Sequence, residues 1–556
     1  MEIPVSELIV RYMERLGIGA IFGMPGAHIL PVYDSLYNSP IQSVLAKHEQ
    51  GAAFMACGYS RTSGNISACI TTAGPGATNL VTGIANAYAD KLPVLCITGE
   101  APTYIFGKGG LQESSGEGGA IDQIALFKSI TVYQKLIERT DYLANVLNQT
   151  SRALLSSAPG PVLLSVPYNV QKELVDENIL DEVKTSASSF ADSFKNSEHQ
   201  INALATLIAE AQQPVIIAGY GCIKANAQAE LMNLSEEMNI PVATSLKGKG
   251  AISEQSDLSL GCLGVTTRGY AHQYILKHAD LAIFLGASFN ERTSYVWNDK
   301  LLSRKKIAQV DINPNQIERV YQADVAIEGN IKTVLNDLTN TLNTNNVKPK
   351  ILQGTDFNQI KEAKRSHNEA STVFGSGFEL IEALFRKMED ELPADCMIFD
   401  DNIIFAQNFY HVTGDTHYYP NSGISSLGHA IPAAIGARFA HDRPVVSIIG
   451  DGGFQMCCME IMTAVNYQLP LTIILLNNDS MGLIRKNQLQ QYDERFIDCD
   501  FTNPDYEQLA RSFGIDYHQV KSSDDLDNLF DKIQEKSILI DVIIDKDAFP
   551  NYRSNR

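Results

Sequence analysis

Residues 448–482 read IIGDGGFQMCCMEIMTAVNYQLPLTIILLNNDSMG, and two apolar runs in this stretch end in oxygen-bearing side chains. The first run ends at Asp451, which lies between glycines, and the second ends in two asparagines, of which Asn478 is the second. Short apolar runs separated by a helical segment are typical of neighbouring strands in a parallel sheet. Because ligands of such sheets bind beyond the carboxyl ends of the strands, we expect Asp451 and Asn478 to face one crevice.

The residue types around this crevice favour a divalent cation with a phosphate. Asp and Asn oxygens suit a hard ion such as Mg²⁺, which binds well together with ligand phosphates. Gly450, Gly452 and Gly453 would let the backbone approach a phosphate, and a helix predicted to begin near Phe454 would offer free N–H groups. The stretch therefore predicts a Mg²⁺–diphosphate site, although each half alone is also consistent with a turn and a helix cap.

Length and composition restrict the class of protein. The chain has 556 residues, a formal net charge of −20 and nine cysteines without the spacing of a disulfide framework. The length predicts about three domains. The acidic charge argues against a nucleic-acid-binding protein, which usually carries a basic face. The cysteines predict reduced thiols in a cytoplasmic protein, and no apolar run approaches the ~20 residues that span a bilayer.

Short apolar runs alternate with helical segments along the whole chain, which predicts an α/β protein with parallel sheets. Polar, turn-rich segments at residues 184–200 and 340–359 are predicted linkers. We therefore expect three doubly wound domains, over residues 1–184, 185–350 and 351–556. The runs predicted to be buried strands are ISACITTAG, LPVLCITGE, GPVLLSVP, QPVIIAGYGC, IPVATS, ADLAIFLGAS, KKIAQVDI, CMIFDDN, PVVSIIGDGG, LTIILLNND and ILIDVIID.

The opening stretch also belongs to a longer pattern. Gly-Asp-Gly, 24 intervening residues and Asn-Asn together resemble the binding motif of thiamine diphosphate (ThDP). Further motifs, in the same order, resemble the acetohydroxyacid (acetolactate) synthase family over nearly the whole chain. They are FGMPGAHILPVYD (22–34), KHEQGAAFMACGYSRTSG (47–64), TTAGPGATNLVTGIANAYAD (71–90), SLGCLGVTTRGYAHQYILKHADLAIFLGASFNER (259–292) and GISSLGHAIPAAIGA (423–437). The resemblance implies a pyrimidine-binding, a nucleotide-binding-like and a diphosphate-binding domain in that order.

Glu49 lies in KHEQGAAF, ahead of a run of small residues. From the residue pattern alone it is an acid in the first turn of a helix, where it complements the helix dipole. The resemblance implies a catalytic role instead, because the matching glutamate bonds the aminopyrimidine of ThDP and acts as a positioned acid/base. It also implies that Glu49 and the metal site of one active centre come from different subunits, so we expect a homodimer or homotetramer.

The resemblance assigns further positions to the pocket. Gln112 would face the reacting centre, Met456 would hold ThDP bent, and Ser480 would supply a third metal ligand through its carbonyl oxygen. The residue pattern alone leaves Met456 as a core side chain and residues 109–119 as a solvated Gly/Ser loop. The other implied cofactor-binding positions are Pro25, Gly26, Thr72, Pro75, Asn79, Ser425, Leu427, Gly450, Gly452, Gly453, Met481, Gly482 and Leu483.

The central domain carries Gly219 and Gly221 after a predicted strand, but the third glycine of a dinucleotide fingerprint is missing. The resemblance adds that FAD-binding synthases carry Arg-Phe-Asp-Asp-Arg, where this chain has SFNER (288–292) and keeps Phe289 and Arg292. We expect a structural FAD here, since decarboxylation and ligation involve no net redox change. ADP or an empty site are the alternatives.

The acceptor side departs from the family pattern. Anabolic members carry Met-Val-x-Gln-Trp-Gln after the asparagines, whereas this chain reads LIRKNQ (483–488), with Asn487 in place of the tryptophan. Leu111 replaces a phenylalanine, Ala27 replaces a glycine, and a Gln-His-Gln run is replaced around Asp401. Loss of the tryptophan, which favours 2-ketobutyrate, predicts a roomier and more polar acceptor pocket.

The sequence thus favours a ThDP- and Mg²⁺-dependent carboligase that decarboxylates pyruvate, or a similar 2-oxo acid, and joins the two-carbon unit to a second carbonyl. Transfer to a keto-sugar or another ketone or aldehyde is the alternative that Asn487 keeps open. A nucleotide-binding oxidoreductase is an alternative from another class, which Glu49 and the Asp451–Asn478 pair oppose. A non-catalytic structural chain is a third, and it would be expected to lack those residues. The acceptor, a regulatory subunit and the choice between dimer and tetramer are left open.

Overall fold

The computed structural model describes residues 1–190, 197–267, 269–352, 374–413, 417–421, 423–531 and 533–551. The predicted linkers lie partly outside these ranges, at 191–196 and 353–359. Three six-stranded sheets follow one another along the chain, and all strand pairs within them are parallel. The predicted class, three parallel α/β domains, is confirmed, whereas the exact domain boundaries stay predictions.

The N-terminal domain is a six-stranded sheet between two helical layers, with a small antiparallel pair at its side. Its strands are β1 Glu2–Pro4, β2 Ala20–Gly23, β3 Gln42–Leu45, β4 Ser67–Thr71, β5 Val94–Glu100, β6 Tyr133–Leu136, β7 Val162–Pro167 and β8 Leu174–Asp176. Its α-helices are α1 Val5–Arg15, α2 Leu30–Leu36, α3 Glu49–Ser63, α4 Pro75–Asp90, α5 Gln123–Phe127, α6 Leu143–Leu155 and α7 Tyr168–Gln171. The strand order is β3-β2-β4-β5-β7-β6, and β1 pairs with β8.

Side chains of the central strands in this sheet alternate between two hydrophobic clusters. Ile70 and Ile97 pack in one cluster with residues of α1 and α6, and Cys69 and Cys96 pack in the other with residues of α3 and α4. Successive side chains of a strand point to opposite faces, so a sheet covered on both faces requires strands that are apolar at every position. The long apolar runs of the sequence therefore become the central strands.

The central domain has a different strand order. Its strands are β9 Pro214–Ala218, β10 Val242–Thr244, β11 Ser259–Cys262, β12 Leu281–Leu285, β13 Lys306–Asp311 and β14 Val325–Glu328. Its α-helices are α8 Glu198–Glu210, α9 Tyr220–Lys224, α10 Gln228–Met238, α11 Tyr270–Lys277, α12 Asp299–Leu302 and α13 Ile331–Thr344. The order β11-β10-β9-β12-β13-β14 places the reversal of direction, where ligands of such folds bind, between β9 and β12.

The C-terminal domain repeats the strand order of the N-terminal domain. Its strands are β15 Met397–Asp400, β16 His417–Pro420, β17 Val445–Gly450, β18 Thr472–Asn477, β19 Asp516–Val520 and β20 Ile538–Ile543. Its α-helices are α14 Glu379–Glu391, α15 Ile404–Phe409, α16 Ala430–Ala440, α17 Asp451–Cys457, α18 Ile461–Asn466, α19 Gly482–Gln491 and α20 Tyr506–Phe513. The order β16-β15-β17-β18-β20-β19 matches that of the first sheet strand for strand. The related folds expected from the sequence are therefore present.

Helices α3 and α16 join the outer two domains at very close range. A Cβ on Gly58 would lie 2.0 Å from the carbonyl oxygen of Ala433, and a Cβ on Gly436 would lie 1.9 Å from that of Met55. Only glycine permits this approach of two backbones. The side chains around the crossing merge the cores of both domains into one cluster.

Two predictions from composition concern the chain as a whole. All nine cysteines lie in described residues and are free thiols, and seven of them are buried. In the described ranges, no helix combines the length and the apolar character that crossing a bilayer requires.

Candidate functional site

The two strand ends of the opening stretch lie together in the C-terminal domain, as the sequence predicts. Strands β17 and β18 are neighbours, with Gly450 opposite Leu476, so their carboxyl ends lie side by side. The backbone N–H of Asn478 donates to Oδ2 of Asp451 at 3.1 Å. The helix α17 begins at Asp451 itself rather than near Phe454, because a carboxylate is favoured in the first turn of a helix.

Asp451 is a buried carboxylate at the strand end. It is 2 % exposed, and burial raises the pKa of its carboxyl, against hydrogen bonds from Asn503, Asn478 and Gly452 that lower it. A buried carboxylate is stabilised in its charged form by a nearby positive charge. Asn477 does not bond Asp451 directly, and its Nδ2 donates to Oδ1 of Asp541 on β20 at 2.9 Å.

Asn503 supports the site and was missed by sequence reasoning. Its Nδ2 lies 2.9 Å from Oδ2 of Asp451, 2.9 Å from Oδ1 of Asn477 and 2.9 Å from Oδ1 of Asp479. The hydroxyl of Tyr506 donates to Oδ1 of Asn503 at 2.8 Å. No short motif marks Asn503, since it lies in an irregular segment before α20 and reaches the site only through the fold.

Ser480 has the burial expected of a metal-site residue. It is buried, and its hydroxyl has no hydrogen-bond partner among the described residues. Across all residues that the structure describes, no group of three or more His, Cys, Asp or Glu side chains could hold a metal ion. A cation here would be held by one carboxylate, one amide oxygen and a backbone carbonyl, and such hard oxygen donors fit Mg²⁺.

The glycines around Asp451 form a cradle that larger residues would fill. A Cβ on Gly452 would lie 2.5 Å from Sδ of Met481, and one on Gly453 would lie 2.5 Å from Oδ2 of Asp401. A Cβ on Gly482 would lie 2.6 Å from Nδ2 of Asn478. These sequence-predicted positions are therefore packed against one another without space for side chains.

Two exposed apolar side chains border this cradle. Met456 on α17 is 59 % exposed, so it is not the core side chain that the residue pattern alone allowed. Leu483, at the start of α19, is also exposed. Both could contact a ligand bound at the cradle.

Asp401 fixes the segment that carries Ser425 and Leu427. Its carboxylate accepts hydrogen bonds from the backbone N–H groups of residues 428–430 at 2.8, 2.9 and 3.1 Å, which begin α16. Burial raises the pKa of this carboxyl to about 6, against the hydrogen bonds that lower it. Ser425 has a positive φ of 56°, a conformation that needs such support. Asp401, in the run that replaces the family's Gln-His-Gln, is thus a buried residue that holds this segment in place.

The N-terminal domain contributes Glu49, the first residue of α3. Nδ2 of Asn79, on α4, donates to Oε2 of Glu49 at 2.9 Å, and both side chains are half-buried. Asn79 was predicted to bind the cofactor, and the structure places it as a direct partner of the predicted acid/base. Pro75, also predicted, is the first residue of the same helix.

Gln112 is held near the ends of β2 and β4. Oγ1 of Thr72 donates to Oε1 of Gln112 at 3.2 Å, and the N–H of His28 donates to Oγ1 of Thr72 at 3.4 Å. A Cβ on Gly26 would lie 2.5 Å from Cβ of Thr72, so the turn with Pro25 packs directly on this threonine. The four predicted positions in this part of the domain therefore form one contiguous group.

Glu100, the last residue of β5, holds the segment of Gln112 in place and was also missed. It is 1 % exposed. Its Oε1 accepts from the N–H groups of Ala101 and Ser114 at 2.8 Å each. Burial raises the pKa of Glu100 to about 7. Because Oγ of Ser114 in turn accepts from the N–H of Gly74 at 2.9 Å, residues 109–119 are tied to the domain rather than free in solvent.

The predicted acceptor residues come from both outer domains. Ala27 and Leu111 are exposed in the N-terminal domain, Leu111 to 73 % of its surface. Asn487 is half-buried on α19 of the C-terminal domain. That these residues line one pocket stays a prediction.

The central domain has a cavity of about 420 Å³ at the carboxyl ends of β9, β12 and β13. Its lining contains Gly221, Gly286 and Asp311 together with four cationic side chains, Lys91, Lys224, Lys247 and Arg319. Burial lowers the pKa of Lys224 to about 8 and that of Lys247 to about 7. Local positive charge beside a buried carboxylate in a strand-end cavity suits an anionic ligand.

The other residues predicted for FAD have different surroundings. A Cβ on Gly219 would lie 2.1 Å from the carbonyl oxygen of Gly286, so this glycine is needed for backbone packing. Phe289 is buried against Phe284 at 4.2 Å between ring centroids. Nη2 of Arg292 donates to Oδ1 of Asn402 at 3.2 Å, towards the C-terminal domain. FAD binding stays a prediction.

Comparison with known proteins covers almost the whole chain. Residues 3–125 match the N-terminal TPP binding domain of thiamine pyrophosphate enzymes, residues 201–338 their central domain and residues 402–542 their C-terminal TPP binding domain. The probable acetolactate synthase large subunit of Methanocaldococcus jannaschii is 33 % identical over 97 % of this chain and 92 % of its own length. The acetolactate synthase isozyme 2 large subunit of Escherichia coli strain K12 is 30 % identical over 97 % and 95 %. The acetolactate synthase large subunit of Lactococcus lactis is 30 % identical over 97 % and 92 %.

Proposed function

The chain belongs to the acetolactate synthase family of thiamine pyrophosphate enzymes, and we propose that it decarboxylates pyruvate, or a similar 2-oxo acid, and ligates the two-carbon unit to a second carbonyl compound. The chain is thus a ThDP-dependent enzyme. This family membership also argues against the oxidoreductase and the non-catalytic chain as alternatives.

One observation supports the proposal: the fold brings together the residues of each half of the proposed ThDP site. Asp451 and Asn478 meet at adjacent strand ends, and Glu49 begins a helix with Asn79 bonded to its carboxylate. Bound ThDP would supply the electron sink that decarboxylation of a 2-oxo acid requires. The residues of the protein would bind the diphosphate, position an acid/base and exclude water.

We assign the diphosphate to the C-terminal cradle. The glycines at 450, 452 and 453 bring no side chains between the backbone and a diphosphate, and Asp451, Asn478 and the carbonyl of Ser480 would hold Mg²⁺. The buried state of Asp451 and the unpartnered hydroxyl of Ser480, within the described residues, support a polar ligand at this place.

We assign the acid/base role to Glu49. Its carboxylate lies at a helix N-terminus, half-buried, with Asn79 on one oxygen. One oxygen therefore stays oriented while the other can reach a ring nitrogen and move a proton. We assign Gln112 to contact with the substrate, and the hydrogen bond from Thr72 would hold its side chain in place.

Two chains are proposed to form each active site, in a homodimer or homotetramer. Large apolar side chains near the predicted site are exposed in the single chain, with Met456 59 %, Leu111 73 % and Ile484 48 % exposed. Large exposed apolar side chains of this kind favour burial by a partner or a ligand. A two-fold dimer would complete two equivalent sites.

The central cavity is proposed to hold a nucleotide, with FAD as the first candidate and ADP as the second. Asp311, the last residue of β13, would accept hydrogen bonds from a ribose, and the cations at 224 and 319 would meet phosphates. A flavin here would be structural. Denaturing the purified protein and recording the visible spectrum of the released small molecules separates flavin from ADP.

Asn487 favours a second candidate function, acetyl transfer to a non-classical acceptor such as a keto-sugar or another ketone or aldehyde. Asparagine is smaller than tryptophan and offers two donors and one acceptor to a hydroxylated substrate. The reaction class is the same, and only the acceptor differs.

The deciding experiment incubates the protein with pyruvate, ThDP and Mg²⁺, with and without candidate acceptors, and identifies the products by mass spectrometry. Formation of 2-acetolactate from pyruvate alone supports the main proposal. A product that requires a hydroxylated acceptor supports the second candidate. Absence of CO₂ release under all conditions would contradict both.

A further inference from the structure

Glu460 is a buried acid of the C-terminal domain that contacts the N-terminal domain next to Glu49. It ends the short 3₁₀ turn Cys458–Glu460, which follows α17, the helix that begins with Asp451. The side chain is 3 % exposed. It is not one of the predicted site residues, and the acid/base and metal roles proposed above do not use it.

Its carboxylate accepts hydrogen bonds from the two backbone N–H groups that precede α3. Oε1 accepts from His48 at 3.0 Å and from Lys47 at 3.1 Å, and Oε2 lies 3.2 Å from the N–H of Lys47. Thr463 donates its hydroxyl proton to Oε2 at 2.8 Å and fixes the carboxylate from behind. The next residue after His48 is Glu49.

The remaining geometry shows that this contact is built into the fold. A Cβ on Gly51, in the first turn of α3, would lie 2.1 Å from Oε1 of Glu460, so glycine makes room for the carboxylate. Nδ1 of His48 accepts from the N–H of Gln50 at 3.1 Å and caps the helix from its own side. Burial raises the pKa of Glu460, so the fold bears a desolvation cost to keep an acid at this place.

We propose that Glu460 is a positioning residue for Glu49. Its carboxylate holds the backbone at residues 47–48 and so fixes the position from which the side chain of Glu49 extends. The inference rests on the acid/base role proposed for Glu49 and deepens it. The physical reason is that a shift of about 1 Å in a catalytic group can cost roughly a hundredfold in rate. The carboxylate of Glu460 reaches from the opposite domain and holds both N–H groups at once, so this backbone is tied to the C-terminal domain.

The test compares Glu460→Gln with Tyr467→Phe in the complete protein loaded with ThDP and Mg²⁺. Glutamine keeps the size but turns an NH₂ group towards an N–H donor. Tyr467 bonds the neighbouring strand β3, with its hydroxyl 2.9 Å from the N–H of Leu45 and 3.2 Å from the carbonyl oxygen of Ser43. Its substitution loosens the same domain contact without touching residues 47–48.

We expect Glu460→Gln to lower kcat for pyruvate decarboxylation by roughly tenfold to a hundredfold, with KM for pyruvate and the Kd of ThDP within about twofold. Hydrogen exchange in the ThDP-free protein should be faster in peptides that begin after Leu45 and cover residues 46–52. Tyr467→Phe should match wild type in kcat and in these peptides. Unchanged kcat in Glu460→Gln, unchanged exchange, or an equal loss in Tyr467→Phe would overturn the inference.

Two further variants keep the test decisive. If Glu460→Gln does not fold, Gly51→Ala displaces the carboxylate from the other side and should produce the same two changes; their absence overturns the proposal. Glu49→Gln separates the two levels of the argument. A wild-type rate in Glu49→Gln defeats the proposed function, whereas an inactive Glu49→Gln beside a fully active Glu460→Gln defeats only the role of Glu460.

Discussion

The N-terminal and C-terminal domains have the same strand order but use equivalent strand ends in different ways. Strands β5 and β18 occupy the same place in their sheets, as do β4 and β17. In the C-terminal domain, Asn478 after β18 meets Asp451, which follows the neighbouring strand β17, beside a glycine cradle. In the N-terminal domain, Glu100 at the end of β5 accepts hydrogen bonds from backbone N–H groups of its own domain.

The difference teaches that the fold supplies equivalent positions and the neighbouring residues decide their use. Asp451 is flanked by Gly450, Gly452 and Gly453, which add no side chains at its strand end. Glu100 is covered by the segment of Ser114, so only protein atoms reach it. Variants at three places test this difference: Asp451 in the C-terminal domain, and Glu49 and Glu100 in the N-terminal domain.

The largest effect is expected at the ligand side of the C-terminal domain. Asp451→Ala should abolish Mg²⁺-dependent ThDP binding, because Asn478 and a carbonyl oxygen lack the charge to hold the ion with a diphosphate. Isothermal titration with ThDP and Mg²⁺ measures this. Asp442→Ala, which removes an exposed carboxylate of the same domain, should bind as wild type does. Equal affinity in Asp451→Ala would show that Asp451 is not a metal ligand.

A substitution of Glu49 in the N-terminal domain should lower turnover without loss of ThDP binding. Glu49→Gln should lower turnover by at least about a hundredfold while the affinity for ThDP stays close to that of wild type, the scale of a lost acid/base. Glu198→Gln is the matched control, since Glu198 is also the first residue of a helix, α8, and is exposed. Steady-state rates at fixed ThDP measure the effect; comparable rates in both variants would contradict the assignment.

The internal support of the N-terminal domain should appear as a pH effect on stability. The folded pKa of Glu100, about 7, lies above its ordinary value of 4.5, so folding favours the protonated carboxyl. That contribution is complete below about pH 4.5 and is lost as the pH rises through about 7, with an upper bound of about 3 kcal/mol. From pH 5 to pH 8, the apparent Tm of wild type should fall relative to that of Glu100→Gln.

Glu117→Gln controls for this comparison, because Glu117 is an exposed acid in the same segment. Its Tm should follow that of wild type at both pH values. Parallel Tm values in Glu100→Gln and wild type would mean that Glu100 is not held protonated by the fold.

The smallest effect is expected at the acceptor side, where both domains contribute. Asn487→Trp should shift the product ratio several-fold towards the product formed with 2-ketobutyrate as acceptor rather than pyruvate, or exclude a bulky acceptor. The reason is that tryptophan fills space and removes hydrogen-bonding groups. Decarboxylation of pyruvate should continue. A competition between acceptors at fixed pyruvate measures the ratio, and Gln490→Trp, one turn further along α19, is the control. An unchanged ratio would remove Asn487 from the acceptor pocket.

The sequence predicted the interior strands of the sheets better than their edges. The predicted runs include β4, β5 and β7 of the first sheet, and β15, β17, β18 and β20 of the third. The outermost strands β3, β6, β11, β14, β16 and β19 were not among them. Interior strands are apolar on both faces and leave a continuous signal, whereas β3 and β6 are largely exposed or half-buried and resemble loops.

By itself, the sequence determined the α/β class, the central strands and the pairing of Asp451 with Asn478, because each depends on residues close together in the chain or on a long family pattern. Only the tertiary structure decided the roles of Asn503, Glu100 and Glu460 and the glycine crossing at Gly58. Each of these joins segments that are separate in the chain, so no local pattern encodes it. Distances between such segments are set by how the sheets and helices pack, and packing is a property of the whole fold.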